Sequence, residues 1–306
     1  MATGEAADGA GALELQRPRK VIYRHSLAVR VTHWLNALFL ALLLMSGLAI
    51  FNFHPALYWG NYGYAGMPSV LSISAEPNPS RGMPAGVTRI GNARFDTTGV
   101  LGVSTDENGR LARRAFPWWL TLPAQPNLAL ARDWHFALAW LFVLNGTIYL
   151  VAGLFSGHFR RDLAPSAEEL RPRSMLRDIW AHLRLRRPRG EAARRYNPLQ
   201  KLAYLTVIFI LLPTMLLSGL TMSPAATAAV PVLLDLFGGR QSARTIHFIA
   251  ANLLVLFVLV HLFQVLVAGA LNGVRSMITG RYMVPPERGS EHAPAAVSGA
   301  APGAMP

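Results

Sequence analysis

Two histidines, His247 and His261, stand near the ends of TIHFIAANLLVLFVLVHLFQ, an otherwise almost wholly apolar run over residues 245–264. On an α-helix their fourteen-residue spacing turns about 1400°, roughly 40° short of four full turns, and rises about 21 Å. The two imidazoles therefore share one helix face at two depths. His33 lies near the start of a second apolar run and His135 near the start of a third. Ionisable side chains inside hydrocarbon are costly and as a rule serve function. Zinc would take four ligands, normally with cysteine or carboxylate among them. The chain has no cysteine, which also excludes disulfides, iron–sulfur ligation and covalent haem attachment. No acid stands inside any apolar run. Two trans imidazoles instead complete the octahedron of a porphyrin iron, and the large apolar ring suits a helix bundle. The expected chemistry is electron transfer through two b-type haems about 20 Å apart along the helix.

The elements that would hold such a pair of sites are legible in the hydropathy. Only 15% of the 306 residues are charged, against about 25% in ordinary soluble domains. Residues 31–51, 134–155, 202–222 and 246–271 are apolar windows long enough to cross a bilayer, which needs about 20 residues per helix. Open sheets and irregular backbone cannot face lipid. The expected fold class is therefore all-α and integral to a membrane: a bundle of four transmembrane helices forming one domain over residues 20–282. The first window follows some thirty residues of other sequence, with no small-residue cleavage site after it, and reads as a retained span rather than a signal peptide. Residues 1–19 and 283–306, rich in Ala, Gly and Pro, read as disordered tails.

Charge sets the orientation. Residues 156–201 hold twelve Lys or Arg, whereas 52–133 hold seven and 223–245 hold two. The positive-inside rule then places both termini and the 156–201 segment in the cytoplasm, and the long 52–133 loop in the periplasm. The net charge of +13 is thereby accounted for by topology and anionic lipid, not by nucleic acid. With this orientation, depth alone pairs His33 with His261 near the inner surface and His135 with His247 near the outer one. His25, eight residues before His33, is the alternative ligand. Gly47 and Gly146 fall on the faces of His33 and His135, where they serve either close approach of a porphyrin or ordinary small-residue packing. Arg24, Arg30, Arg132, Arg240 and Arg244 flank the spans, where haem propionates would emerge. The 52–133 loop, with hairpin-like patches such as GVTRIGNARFDTTGVLGVST, reads as a cap and docking surface for a partner. SMLRDIWAHLRLRR reads as a helix lying on the membrane surface. Pro213 is expected to kink the third span, and no internal repeat is evident in the sequence.

The strings RVTHWLNALFLALLLMSG and DWHFALAWLFVLNGTIYLVAGLFSGHFRRDL, together with the histidine spacing of the last span, resemble the bacterial di-haem cytochrome b membrane subunits. These are the subunits of nickel–iron hydrogenases, formate dehydrogenases and thiosulfate reductases, and the likeness covers about residues 20–282. The resemblance implies the same ligand pairs, His33 with His261 and His135 with His247. It also implies an inner-membrane subunit that exchanges electrons between quinone or quinol and a periplasmic redox partner, a molybdopterin oxidoreductase in the thiosulfate-reductase branch. It places the quinone by the inner haem, where Asn36, His261 and Gln264 are the candidates. Two other readings share the sequence. One is a self-sufficient haem oxidoreductase, such as a superoxide oxidase or ferric reductase. The other is a transporter using histidines for protons or metal ions, against which the lack of intramembrane acids and of an inverted repeat counts.

Overall fold

The computed structural model describes residues 21–64, 66–184 and 197–284. The predicted disordered tails lie outside the described residues, apart from 283 and 284. Four long apolar helices dominate: α1 (Leu27–Phe51), α2 (Leu128–Phe155), a third over Pro198–Met222 and a last over Arg240–Thr279. Each exceeds the roughly 30 Å hydrocarbon thickness at about 1.5 Å per residue. Their starts are set by polar caps. The Ser26 hydroxyl accepts from Val29 N, and the Asn127 amide oxygen accepts from Leu130 N. Asn197 forms a reciprocal box with Gln200, with Pro198 in the first turn where a missing N–H costs nothing.

The third long helix is not uniform. It runs as α4 (Pro198–Thr206), a wide turn over Val207–Leu211 and α5 (Leu212–Met222). Pro213 lacks an N–H and its ring crowds the carbonyl four residues back, so the predicted disturbance is absorbed as one π-type turn just before it. On the basic side lies α3 (Pro172–Leu183), whose Leu176, Ile179 and Trp180 are exposed. Short α6 (Pro224–Ala229) and α7 (Val232–Phe237) lead into α8 (Arg240–Thr279). Strand β1 (Val21–Tyr23) pairs antiparallel with β8 (Arg281–Met283), so the two flanks of the bundle are tied at one end, here called the flank end.

At the opposite end the long loop folds into a cap. This departs from the all-α expectation: the chain is mostly helical, with sheet outside the spans. Strands β2 (Ala56–Leu57), β3 (Leu71–Glu76), β4 (Ala85–Ile90) and β5 (Ala93–Asp96) make an antiparallel sheet in that order. A second hairpin joins β6 (Ser104–Thr105) to β7 (Leu111–Ala112). The strands are short, several lack any β-branched residue, and Gly and Asn turns separate them, a weaker signal than a span's hydropathy. The cap core, Leu57, Ile73 and Ala115 with Phe51 of α1, packs against Phe116 and Phe248. Phe51 stacks on Phe248 of α8 with ring centres 4.9 Å apart, so the cap is joined to two spans.

Helices pack mainly as two pairs, α1 with α2 and α5 with α8, and the pairs meet each other sparsely, partly through α1 and α8. Asn145 of α2, 4% exposed, donates to Thr32 O at 3.0 Å and Asn36 Oδ1 at 2.7 Å across the first pair. Such intramembrane hydrogen bonds stabilise by about 0.6 kcal/mol on average, so Asn145 fixes register more than it adds stability.

At the flank end Lys201, 8% exposed, is held by both oxygens of Glu169 at 3.0 and 2.9 Å. Burial pushes the Glu169 carboxyl up, but the Ser166 backbone N–H and the Lys201 ammonium outweigh it and hold it below the usual carboxylate range. A depressed folded value means the pair stabilises the fold above the ordinary carboxylate pKa and fades as pH falls through the depressed one. Amide hydrogen exchange of residues 164–171, corrected for its intrinsic pH dependence, is expected to stay level from neutral pH to the ordinary carboxylate range. It should rise below that, and Glu169→Gln should abolish the acid step.

Candidate functional site

The four histidines meet in the two predicted pairs. His135 of α2 faces His247 of α8 with ring centres 6.3 Å apart and planes crossed at 64°. His33 of α1 faces His261 of α8 with centres 6.2 Å apart and planes crossed at 71°. Both partners on α8 project from one face, as the fourteen-residue spacing requires. The first pair lies near the cap and the second near the flank end.

The cap-end pair is held by hydrogen bonds. Ser46 Oγ lies 2.9 Å from His135 Nδ1, and Ser218 Oγ lies 3.0 Å from His247 Nδ1. Met215 O also lies 3.1 Å from His247 Nδ1 and can only accept, so that nitrogen carries the proton. The flank-end pair is held by ring contacts. His261 lies nearly parallel to Phe257, centres 6.1 Å apart, and His33 meets Trp34 edge-on. Trp34 Nε1 in turn donates to Met277 O at 3.1 Å.

Other predicted residues separate into those the fold brings to the site and those it uses elsewhere. A Cβ on Gly47 would sit 3.4 Å from His135 Cε1, so this glycine lies against the imidazole of His135. A Cβ on Gly146 would meet nothing within 4 Å, so that position borders open space. Asn36 is one turn beyond His33, with its oxygen taken by Asn145. Gln264 is half-buried, close after His261. Arg244 is committed to the cap, donating to Ala56 O at 2.8 Å and also to His54 O. Arg240 donates to Thr227 Oγ1 at 3.2 Å, while Arg132 lies over Phe136 and Arg24 over Tyr282. Arg30 donates to Ile278 O, yet its Nε is buried with no partner among the described residues. His25 precedes α1, and burial, with Arg24 and other basic neighbours, pushes it down to about 4. It is neutral at physiological pH and is not the histidine facing His261.

Ser46, Ser218 and Gly219 were not anticipated. A Cβ on Gly219 would lie 3.5 Å from His247 Cε1, mirroring Gly47 at His135. The signal was present as MSGL in the first span and LSGL in the third, a repeat too short to notice before its partners were known.

The donor set fits a porphyrin iron. Two imidazoles on one metal, with bonds of about 2.0–2.1 Å, hold their ring centres about 6.4 Å apart, close to both observed separations. Among the described residues no cluster of three His, Cys, Asp or Glu could complete the shell of a bare ion. Paired imidazoles on apolar spans define a membrane cytochrome of the b type. The family model described as prokaryotic cytochrome b561 matches residues 24–280, and the chain belongs to that family, membrane proteins that bind haem b and carry electrons. Over 135 residues it is 36% identical to a putative protein-methionine-sulfoxide reductase subunit YedZ1 of Azospira oryzae, which takes in 44% of this chain and 64% of that protein. No solved structure matches the chain.

Proposed function

We propose that the chain is the membrane subunit of a two-part oxidoreductase, passing electrons across the inner membrane between quinone or quinol and a periplasmic partner. The observation that carries the reading is the two-level pairing of histidines, each pair at the spacing of a bis-imidazole centre. Bound haem would supply one-electron exchange between ferric and ferrous iron. His135 with His247 would hold the outer haem, and His33 with His261 the inner one. The helices keep the two levels about 21 Å apart and exclude water from both. Arg30, with its buried unpartnered Nε, would take an anionic edge at the inner level. The amide nitrogen of Asn36 and the side chain of Gln264 are the donors available to a quinone carbonyl there.

The orientation rests on the basic loops: both termini and residues 156–201 cytoplasmic, residues 52–133 periplasmic. The folded cap, joined to α1 and α8 directly over the outer pair, would be the docking surface. The relative named as a reductase subunit and the resemblance to thiosulfate-reductase-type anchors favour a molybdopterin enzyme as that partner.

The test is haem quantitation with reduced-minus-oxidised spectra on the full chain purified in mild detergent, followed by addition of a quinol. About two b haems per chain, reduced by quinol, is the expected result. Haem-free, folded protein would overturn it in favour of a transporter. Turnover of superoxide or ferric chelates by the isolated chain would favour the self-sufficient enzyme.

A further inference from the structure

We infer that Ser46 and Ser218 are positioning residues that set the ring orientation and so the redox potential of the cap-end haem alone. The inference rests on the di-haem reading above.

Both serines are fully buried at 0% exposure. Each hydroxyl has carbonyls of its own helix within reach: Ser46 Oγ to Leu42 O at 2.9 Å, Ser218 Oγ to Thr214 O at 2.6 Å. A hydroxyl has one proton, and a carbonyl oxygen can only accept. The serine proton therefore goes to its own helix, and Oγ accepts from the facing Nδ1–H at 2.9 or 3.0 Å, sharing that of His247 with Met215 O. That assigns Nδ1 as the protonated nitrogen on both rings and leaves each Nε2 lone pair for iron. The glycine that follows each serine lies against the ring, where a Cβ would stand in ordinary contact, 3.4 or 3.5 Å from Cε1. One Ser-Gly device thus recurs on two helices, α1 serving α2 and α5 serving α8.

The flank-end histidines are positioned differently. Neither His33 nor His261 has a hydrogen-bond partner among the described residues, and their rings are steered by Trp34 and Phe257. An imidazole that donates its distal N–H is a stronger base toward the metal. Stronger donation favours ferric over ferrous iron, so the serines lower the potential of the cap-end haem and leave the other untouched. The same bonds hold the two planes crossed at 64°.

The experiment compares Ser46→Ala and Ser218→Ala, made separately and together, in full-length protein loaded with haem in detergent. Ser276→Ala is the control, because Ser276 is a buried serine bonded to Gly273 O with no histidine against it. Haem is quantified, midpoints are read by anaerobic redox titration, and the oxidised protein is examined by electron paramagnetic resonance. The expected result is two haems retained, one midpoint moved to more positive potential and the other unmoved. The double variant should shift the same component further, with a changed low-spin signal from that haem only. Selective loss of the same haem component in either variant also supports the assignment. If Ser46→Ala fails to fold, Ser218→Ala at the mirrored position carries the test. Two retained haems with both midpoints unmoved, or both moved together, would overturn it. Wild-type protein without two haems would instead remove the di-haem reading, a failure seen before any variant is made.

Discussion

Replacing His247 with alanine is expected to leave the purified protein with one haem per chain instead of two, the survivor being the one held by His33 and His261. The expectation follows from how the pairs are built. On the proposed di-haem reading His247 and His135, 6.3 Å between rings, would hold one haem, and His261 and His33, 6.2 Å apart, the other. The two share helix α8 but no side chain. A single imidazole cannot replace the missing trans ligand, and no third donor stands by among the described residues. His261→Ala should remove the other haem. His135→Ala and His33→Ala should reproduce these losses pairwise, so that four variants sort into two spectra. A crossed pattern, with His33→Ala matching His247→Ala, would mean that depth does not pair the ligands. Haem quantitation on the four purified variants decides it. Ser218 and Met215 would lose their partner in His247→Ala, but each oxygen also sits in its own helix ladder, so the fold should survive.

Much of this was legible in the sequence because membrane helices obey a strict code. Hydropathy located the four spans, and helical period placed His247 and His261 on one face before any contact was known. Depth along each span then paired them with His135 and His33, the rings that face them in the fold. What escaped was information that no period carries. The cap's four-stranded sheet is assembled from strands as short as Ala56–Leu57, whose pairing depends on contacts distant in sequence. Ser46 and Ser218 looked like ordinary small residues of membrane helices, since their role exists only once α1 meets α2 and α5 meets α8. Arg244 is bonded to two carbonyls of the 54–56 turn of the cap, and Arg240 to Thr227 of α6, contacts that depend on residues distant in sequence.

The cap can be broken without touching the histidines, and Gly102→Ala is the substitution that should do it. Gly102 has φ +80°, and a Cβ there would lie 2.4 Å from Ser74 O and 2.9 Å from the Cα of Gly86. Both are backbone atoms of the central strands β3 and β4, which cannot move aside singly. The left-handed conformation costs an alanine about 1–2 kcal/mol, and forcing a methyl into a packed site adds about 1–3 kcal/mol. Gly99 separates the two costs. Its φ is +90°, but a Cβ there would meet nothing within 4 Å, so Gly99→Ala should show the backbone cost alone. Trypsin has ready targets in the cap at Arg89, Arg94, Arg110 and Arg113. Under limiting protease, Gly99→Ala is expected to be cut there about five to thirty times faster than wild type, and Gly102→Ala at least about thirty times faster and always faster than Gly99→Ala, since about 1.4 kcal/mol of local opening free energy is tenfold in rate. Equal rates for the two variants would mean that the close approach of the 99–103 turn to β3 and β4 does not hold the cap. The haem spectrum of Gly102→Ala should remain that of wild type. His135 and His247 take their orientation from serines on neighbouring helices, and those helices keep packing when the sheet above them opens.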